Sequence, residues 1–120
     1  MKTALVAEDN AVNRELIREL LEMRGFFVVE ACDGEEALKK IAQRLPDILM
    51  LDLSMPILDG FHTIARIRQD PILADLPVLA VTAYAMRGDR EKILSLGFNG
   101  YISKPISPVA LDQELQRISC

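Results

Sequence analysis

Cysteine is scarce in this 120-residue chain. Cys32 closes an apolar run, Cys120 is the last residue, and neither belongs to a C-x-x-C pair. A disulfide framework is therefore not expected, and the two read as a buried thiol and a tail thiol in a reducing cytoplasm. Histidine is scarcer still. His62 stands beside Phe61 with no cysteine or second histidine nearby, so it reads as an ordinary helix residue rather than a metal ligand or a phosphodonor. Long apolar runs are missing; none approaches the ~20 residues of a membrane span. The start, MKTALVAEDN, has one lysine and turns acidic by residue 8, which does not fit a signal peptide. Positive charge is in deficit. With 14 Lys+Arg against 18 Asp+Glu the net charge is -4, which argues against non-specific nucleic-acid binding. There is no long linker, repeat or low-complexity tract.

What is present is a regular alternation of two periods. The length fits one domain spanning residues 1–120. A domain of this size buries roughly two thirds of its unfolded surface, so it needs no staples. TALVA is short, apolar and strand-like. AVNRELIRELLEMRG follows with apolar residues at Val12, Leu16, Ile17, Leu20 and Leu21, a helical stripe ended by Gly25. FFVVEA reads as a second strand. DGEEALKKIAQRL opens with Asp33 as N-cap and Glu36 three residues on, and Pro46 stops that helix. DILML is a third strand. After the loop DLSMPILDG, Asp59 can cap the helix GFHTIARIRQD. LPVLAVTA is a fourth strand, RGDREKILSLG a helix ended by Gly97, and GYIS a fifth strand. SPVALDQELQRIS begins with Ser107 as N-cap and Pro108 at the first helical position. Five strand-then-helix units imply an α/β fold, a parallel sheet with helices on both faces. The near-continuous apolar strands agree, since strands covered on both sides need no polar face.

In such open sheets, ligands bind outside the carboxyl ends of the strands. Strand 1 ends in Glu8 and Asp9, strand 3 in Asp52, strand 4 in Thr82 and Ala83, and strand 5 is followed by Lys104 and Pro105. One such Asp alone is ordinarily a helix cap or a solvated loop residue. Three carboxylates, a hydroxyl and an ammonium on one sheet edge are harder to dismiss. Crowded carboxylates repel unless a cation intervenes. Mg2+ suits a site with one or two carboxylates, several waters and a phosphate oxygen. A carboxylate beside it can serve as a nucleophile toward phosphorus. Mg2+ and Lys104 would neutralise the phosphoryl charge, and Thr82 would donate to a phosphate oxygen.

The segments ALVAEDN, ILMLDLSMPILDG, VLAVTAYAM and GYISKPI, in this order and at this spacing, resemble a bacterial response-regulator receiver domain over essentially the whole chain. The resemblance implies a flavodoxin-like, doubly wound sandwich of five strand–helix units with strand order 2-1-3-4-5. It makes Asp52 the phosphoacceptor, taking its phosphoryl group from a phosphohistidine on a histidine kinase or phosphotransfer protein. Asp9, Asp52, the carbonyl of Ser54 and, through water, Glu8 would hold Mg2+. Lys104 would contact the phosphate. Thr82 and Tyr101 would be the switch pair, and the Lys104–Pro105 bond would be cis. The small Ala83 would leave room for the phosphate, and Ser54 and Tyr84 would tune the acyl-phosphate lifetime. The protein is then a switch rather than an enzyme in the usual sense, although it catalyses its own phosphotransfer and dephosphorylation. The first helix, through Val12, Arg14, Glu15 and Arg18, would dock the histidine-bearing partner. AEDN followed by Asn13 and Arg14 is similar to receivers of hybrid kinases, while TAYAMRGD and YISKPIS resemble stand-alone receivers of cell-cycle and polarity signalling.

The chain ends one residue after the fifth helix, so output is expected through a downstream protein effector, or through a domain outside this sequence, with a phosphorylation-dependent dimer as one form. The opening Met1 favours a stand-alone protein, and neither nucleic acid nor membrane is expected as a direct partner. Two readings from other classes remain open. A Mg2+-dependent phosphatase with an Asp nucleophile would want a second Asp where Ser54 stands. A receiver-like scaffold that binds without phosphorylation would be expected to lack Asp52, Asp9 or Lys104. A flavin site is weaker, because the first turn, AEDNAVN, is acidic where a phosphate would bind.

Overall fold

The computed structural model describes residues 2–83 and 89–119. Five strands, β1 (Thr3–Ala7), β2 (Phe27–Ala31), β3 (Ile48–Asp52), β4 (Val78–Thr82) and β5 (Gly100–Ser103), alternate with five helices. The helices are α1 (Ala11–Glu22), α2 (Gly34–Gln43), α3 (Gly60–Gln69), α4 (Asp89–Ser95) and α5 (Pro108–Ser119), and a one-turn 3₁₀ helix at Pro71–Leu73 precedes β4. All strand pairs are parallel, in the order β2-β1-β3-β4-β5, as the resemblance implies. The expected start of the fourth helix at Arg87, together with Tyr84 and Cys120, lies outside the described residues.

The caps form as the sequence implies. Asp33 accepts from the Glu36 amide at 2.8 Å, and Asp59 from the His62 amide at 2.9 Å. Glu36 reaches back to the Cys32 amide, one residue before the cap, so the two side chains satisfy amides at the entry to α2. That geometry corrects one expectation. Cys32 lies in the turn beyond β2 and is exposed, not buried. The α1 stripe is also narrower than its sequence pattern. Ile17, Leu20 and Leu21 face the sheet, whereas Val12 is 75% exposed and Leu16 lies at the rim. β2 is an edge strand, which leaves Phe27 half open to solvent.

Strand alternation sorts the interior into two layers. Ala4, Val6, Ile48, Met50, Leu79, Val81 and Ile102 pack against α1 and α5. Leu5, Ala7, Leu49, Leu51, Val78 and Ala80 pack with side chains of α2, α3 and α4. The central strands therefore spend almost every position on one core or the other, which is why β3 and β4 carry no polar residue before their last positions and β1 none after Thr3. No helix among the described residues is long and apolar enough to cross a membrane.

Candidate functional site

The sequence brings its charged residues to the sheet where the strands end. Glu8 continues β1 by one residue, its amide donating to the carbonyl of Ala31 at 3.0 Å. Asp52 closes β3. Lys104 continues β5, its amide donating to the carbonyl of Thr82 at 2.8 Å. Alternation places Glu8 in line with Ala4 and Val6, Asp52 with Ile48 and Met50, and Lys104 with Ile102. All three share the α1/α5 side of the sheet. They meet there: Lys104 Nζ lies 3.2 Å from Glu8 Oε1 and 3.2 Å from Asp52 Oδ2.

Both carboxylates are inaccessible, with Glu8 at 0% exposure and Asp52 at 1%. Asp52 Oδ1 accepts from the Ser54 amide at 3.1 Å, and Glu8 Oε1 from the Asn10 amide at 3.3 Å. Asp9 is exposed at the mouth of the site. Its carboxylate joins the other two in a cluster whose oxygens lie within 4.8 Å of one another. The electrostatic consequence falls on Glu8. Burial and then the neighbouring Asp52 charge push it up to about 7 from an ordinary 4.5, against the pull of Lys104. Burial by itself would lower Lys104, but the Glu8 charge and the bond to Asp52 outweigh it and hold the ammonium above its usual range.

One buried oxygen, Glu8 Oε2, has no hydrogen-bond partner among the described residues. A buried acceptor left unpaired is costly, by roughly 1–3 kcal/mol. Its position in a group of three carboxylates, with only oxygen donors to offer, fits a hard divalent cation such as Mg2+. Thr82 is buried on the opposite side of the strand pattern, in line with Val78 and Ala80. It lines a cavity of about 190 Å³ with Leu53, Ser54, Phe61, Lys92, Ile93 and Leu96. Tyr101, opposite Ala80 in the β4–β5 register, packs half-buried against the same core layer. The Arg90 guanidinium sits over its ring, 5.8 Å from the centroid. Ala83, Ser54 and Pro105 are exposed around the site, and the Lys104–Pro105 peptide is cis. His62 is exposed and its Nδ1 lies 2.8 Å from Asp59 Oδ1, away from the acidic cluster.

Two contributors were not apparent from the sequence. Gly60, in the first turn of α3, lies so close to β3 that a Cβ there would stand 2.5 Å from the Asp52 carbonyl oxygen. Its only signal was the Asp-Gly that opens a helix. Arg14, read as part of a docking face, reaches inward to the Glu8 carbonyl. The Asn13-Arg14 pair after the acidic residues hinted at it without giving the contact. The loop that carries Asp52 toward α3 is strained. Ile57 has φ 67°, a left-handed value that β-branched residues avoid, and the adjoining Leu58 carbonyl accepts from the Gly34 amide.

A family model for the response regulator receiver domain matches residues 4–116. The polar-differentiation response regulator DivK of Brucella anthropi is 39% identical over 106 residues, covering 88% of this chain and 86% of that protein. The chemotaxis response regulator CheY4 of Vibrio cholerae superposes with a TM-score of 0.90 at 28% identity, covering 98% of each chain. A sensor histidine kinase receiver domain from Pseudomonas aeruginosa, solved with magnesium coordinated in its active-site cleft, gives 0.86 at 34% identity over 97% of this chain and 95% of that one.

Proposed function

Since the chain belongs to the response regulator receiver domain family of two-component signalling, we propose that it is a phosphorylation-operated switch with Asp52 as the acceptor. The observation that supports this most directly is the position of Asp52. It is a buried carboxylate at a strand end, bonded to a backbone amide on one oxygen and to Lys104 on the other. A structural aspartate in a core would ordinarily be neutralised by its partners. Here Glu8 and Asp9 add negative charge instead, which suits a site whose charge balance is completed by a ligand.

The reaction transfers a phosphoryl group. The P–N bond of a phosphohistidine breaks, an Asp52 carboxylate oxygen forms the new O–P bond, and the departing imidazole takes up a proton. Asp9, Asp52 and the Ser54 carbonyl would hold Mg2+, with Glu8 acting through water. When bound, the ion supplies neutralising charge to the transferring phosphoryl oxygens. Lys104 is already placed to pair with a phosphate on Asp52, and Thr82 stands at the neighbouring strand end to donate a hydroxyl hydrogen. Ala83 leaves the mouth open.

The switch follows from which side each residue occupies. Thr82 and Tyr101 belong to the layer that packs with α4, so movement of Thr82 toward the phosphate frees space next to Tyr101. The ring can then turn inward from beneath Arg90, changing the α4–β5–α5 surface that a downstream protein, or a second copy, reads. In this role the chain turns over no separate substrate; it catalyses only its own phosphorylation and hydrolysis. A histidine kinase or histidine phosphotransfer protein is the proposed donor, and a reducing cytoplasm, compatible with the free Cys32 thiol, the proposed setting.

Incubation with acetyl phosphate and Mg2+ followed by intact mass tests this. One added phosphoryl group is expected in the wild type, and none in Asp52→Ala or in EDTA. A wild type left unmodified by both acetyl phosphate and a phosphohistidine donor would falsify the phosphoacceptor assignment.

A further inference from the structure

β1 makes its last ladder pairs at Ala7, opposite Ala31 on one side and Leu51 on the other. The next carbonyl, that of Glu8, lies beyond those pairs at a buried residue, so its partner must come from elsewhere. Arg14 provides it. Its Nη1 donates to the Glu8 carbonyl oxygen at 2.8 Å, while its Nε lies 3.3 Å from Glu30 Oε1 on β2. The side chain is only 18% exposed, so this guanidinium is largely withdrawn from the α1 surface. Glu30 is itself held: its other oxygen accepts from Arg18 Nη1 at 3.2 Å, and its carbonyl accepts from Lys40 Nζ.

The Glu8 carbonyl belongs to the peptide plane that joins Glu8 to Asp9. Fixing that plane fixes where the Asp9 Cα stands beside Glu8, which narrows the directions its side chain can take through its own φ. A planar guanidinium with donors in a rigid fork can bridge a carbonyl and a carboxylate at once, which a lysine ammonium on a flexible stem does less well. From this geometry we propose that Arg14, anchored on Glu30, is a positioning residue that orients the Glu8–Asp9 pair for divalent cation binding. The inference rests on the phosphoacceptor reading for the identity of the cation, but it concerns the shape of the acidic pair and is measured without any phosphotransfer. Groups that orient metal ligands through hydrogen bonds typically change metal affinity about 10–100-fold when removed.

Titration calorimetry with Mg2+ alone, at constant ionic strength, is the test. Arg14→Ala should bind Mg2+ about tenfold more weakly than wild type, the lower end of that range. Arg14→Lys should recover part of the loss, because it can still donate to the Glu8 carbonyl. Arg18→Ala removes the other partner of Glu30 without touching Glu8, and should stay within about twofold of wild type. If Arg14→Ala binds Mg2+ as the wild type does, the inference is overturned while the phosphoacceptor reading stands. If the wild type binds no Mg2+, both fall. Should Arg14→Ala fail to fold by circular dichroism, Glu30→Gln decides. It keeps an acceptor but removes the anchoring charge, so weakened Mg2+ binding supports the role and unchanged binding overturns it.

Discussion

Lys104 Nζ lies 3.2 Å from Asp52 Oδ2 and 3.2 Å from Glu8 Oε1, although the three residues stand at the carboxyl ends of three different strands. The ammonium compensates two buried carboxylates at once. With Asp9 near them, the cluster still carries more negative than positive charge, and that imbalance organises the following expectations.

Removing the ammonium should unmask the repulsion between Glu8 and Asp52. Breaking a buried ion pair costs about 3–5 kcal/mol when the survivors stay charged. Lys104→Ala should therefore be destabilised toward the lower end of that range at pH 8 in EDTA, because Lys104 retains some solvent contact. At pH 5 Glu8 can take up a proton, so the penalty should shrink. Urea unfolding at the two pH values measures the difference, and an equal penalty at both would show that the pair is not the source.

Glu8 gives the wild type its own pH dependence in the absence of metal. Its folded value is about 7, above the 4.5 of an ordinary glutamate. Between those values the folded protein keeps a proton that the unfolded chain has released. Stability should therefore fall as pH rises from about 4.5 to 7 and level off above. Glu8→Gln should flatten this segment of the curve. Denaturant midpoints across the range in EDTA are the measurement, and a rise in stability over the same window would contradict the assigned sign.

Gly60 should be intolerant of even the smallest side chain. A Cβ at this position would lie 2.5 Å from the Asp52 carbonyl oxygen and 2.8 Å from the Leu53 Cα, both backbone atoms with little freedom to move. Gly60→Ala should lose about 1–3 kcal/mol, the usual range for overpacking, and should be phosphorylated more slowly because the strain falls on the acceptor's own residue. Thermal melts and the acetyl phosphate time course report the two effects separately. A variant with unchanged melting and unchanged rate would mean that α3 shifts freely.

Tyr101 should separate phosphorylation from output. Its ring packs in the layer away from Glu8, Asp52 and Lys104 and lies beneath Arg90. Tyr101→Ala should accept phosphoryl groups at close to the wild-type rate while changing affinity for a downstream partner. A collapse of phosphorylation instead would show that the ring supports the acceptor site directly.

Much of this was legible in the sequence because parallel sheets impose a simple grammar. Short apolar strands, each followed by a capped helix, leave few topologies, and the polar residue after each strand marks the ligand edge. Asp33, Asp59 and Ser107 announced their caps, and the amides they receive are the expected ones. Glu8, Asp9, Asp52, Thr82 and Lys104 could be named for the same reason. Other features depended on distances between segments far apart in the chain. Val12 continues the apolar pattern of α1 but projects past the edge of the core. Cys32 ends an apolar run yet lies in an exposed turn.

The sequence by itself determined the order of elements and which residues reach the carboxyl edge, since both follow from hydrophobic period and local capping. Only the tertiary structure decided on which side of the sheet each of those residues lies. Side-chain alternation puts Glu8, Asp52 and Lys104 on one side of the sheet, and Thr82 and Tyr101 on the other. It also gave Glu8 a buried oxygen without a hydrogen-bond partner among the described residues, and Arg14 the inward reach to a backbone carbonyl. Those outcomes depend on burial and on contacts across the sheet, and neither is encoded in the spacing of any single segment.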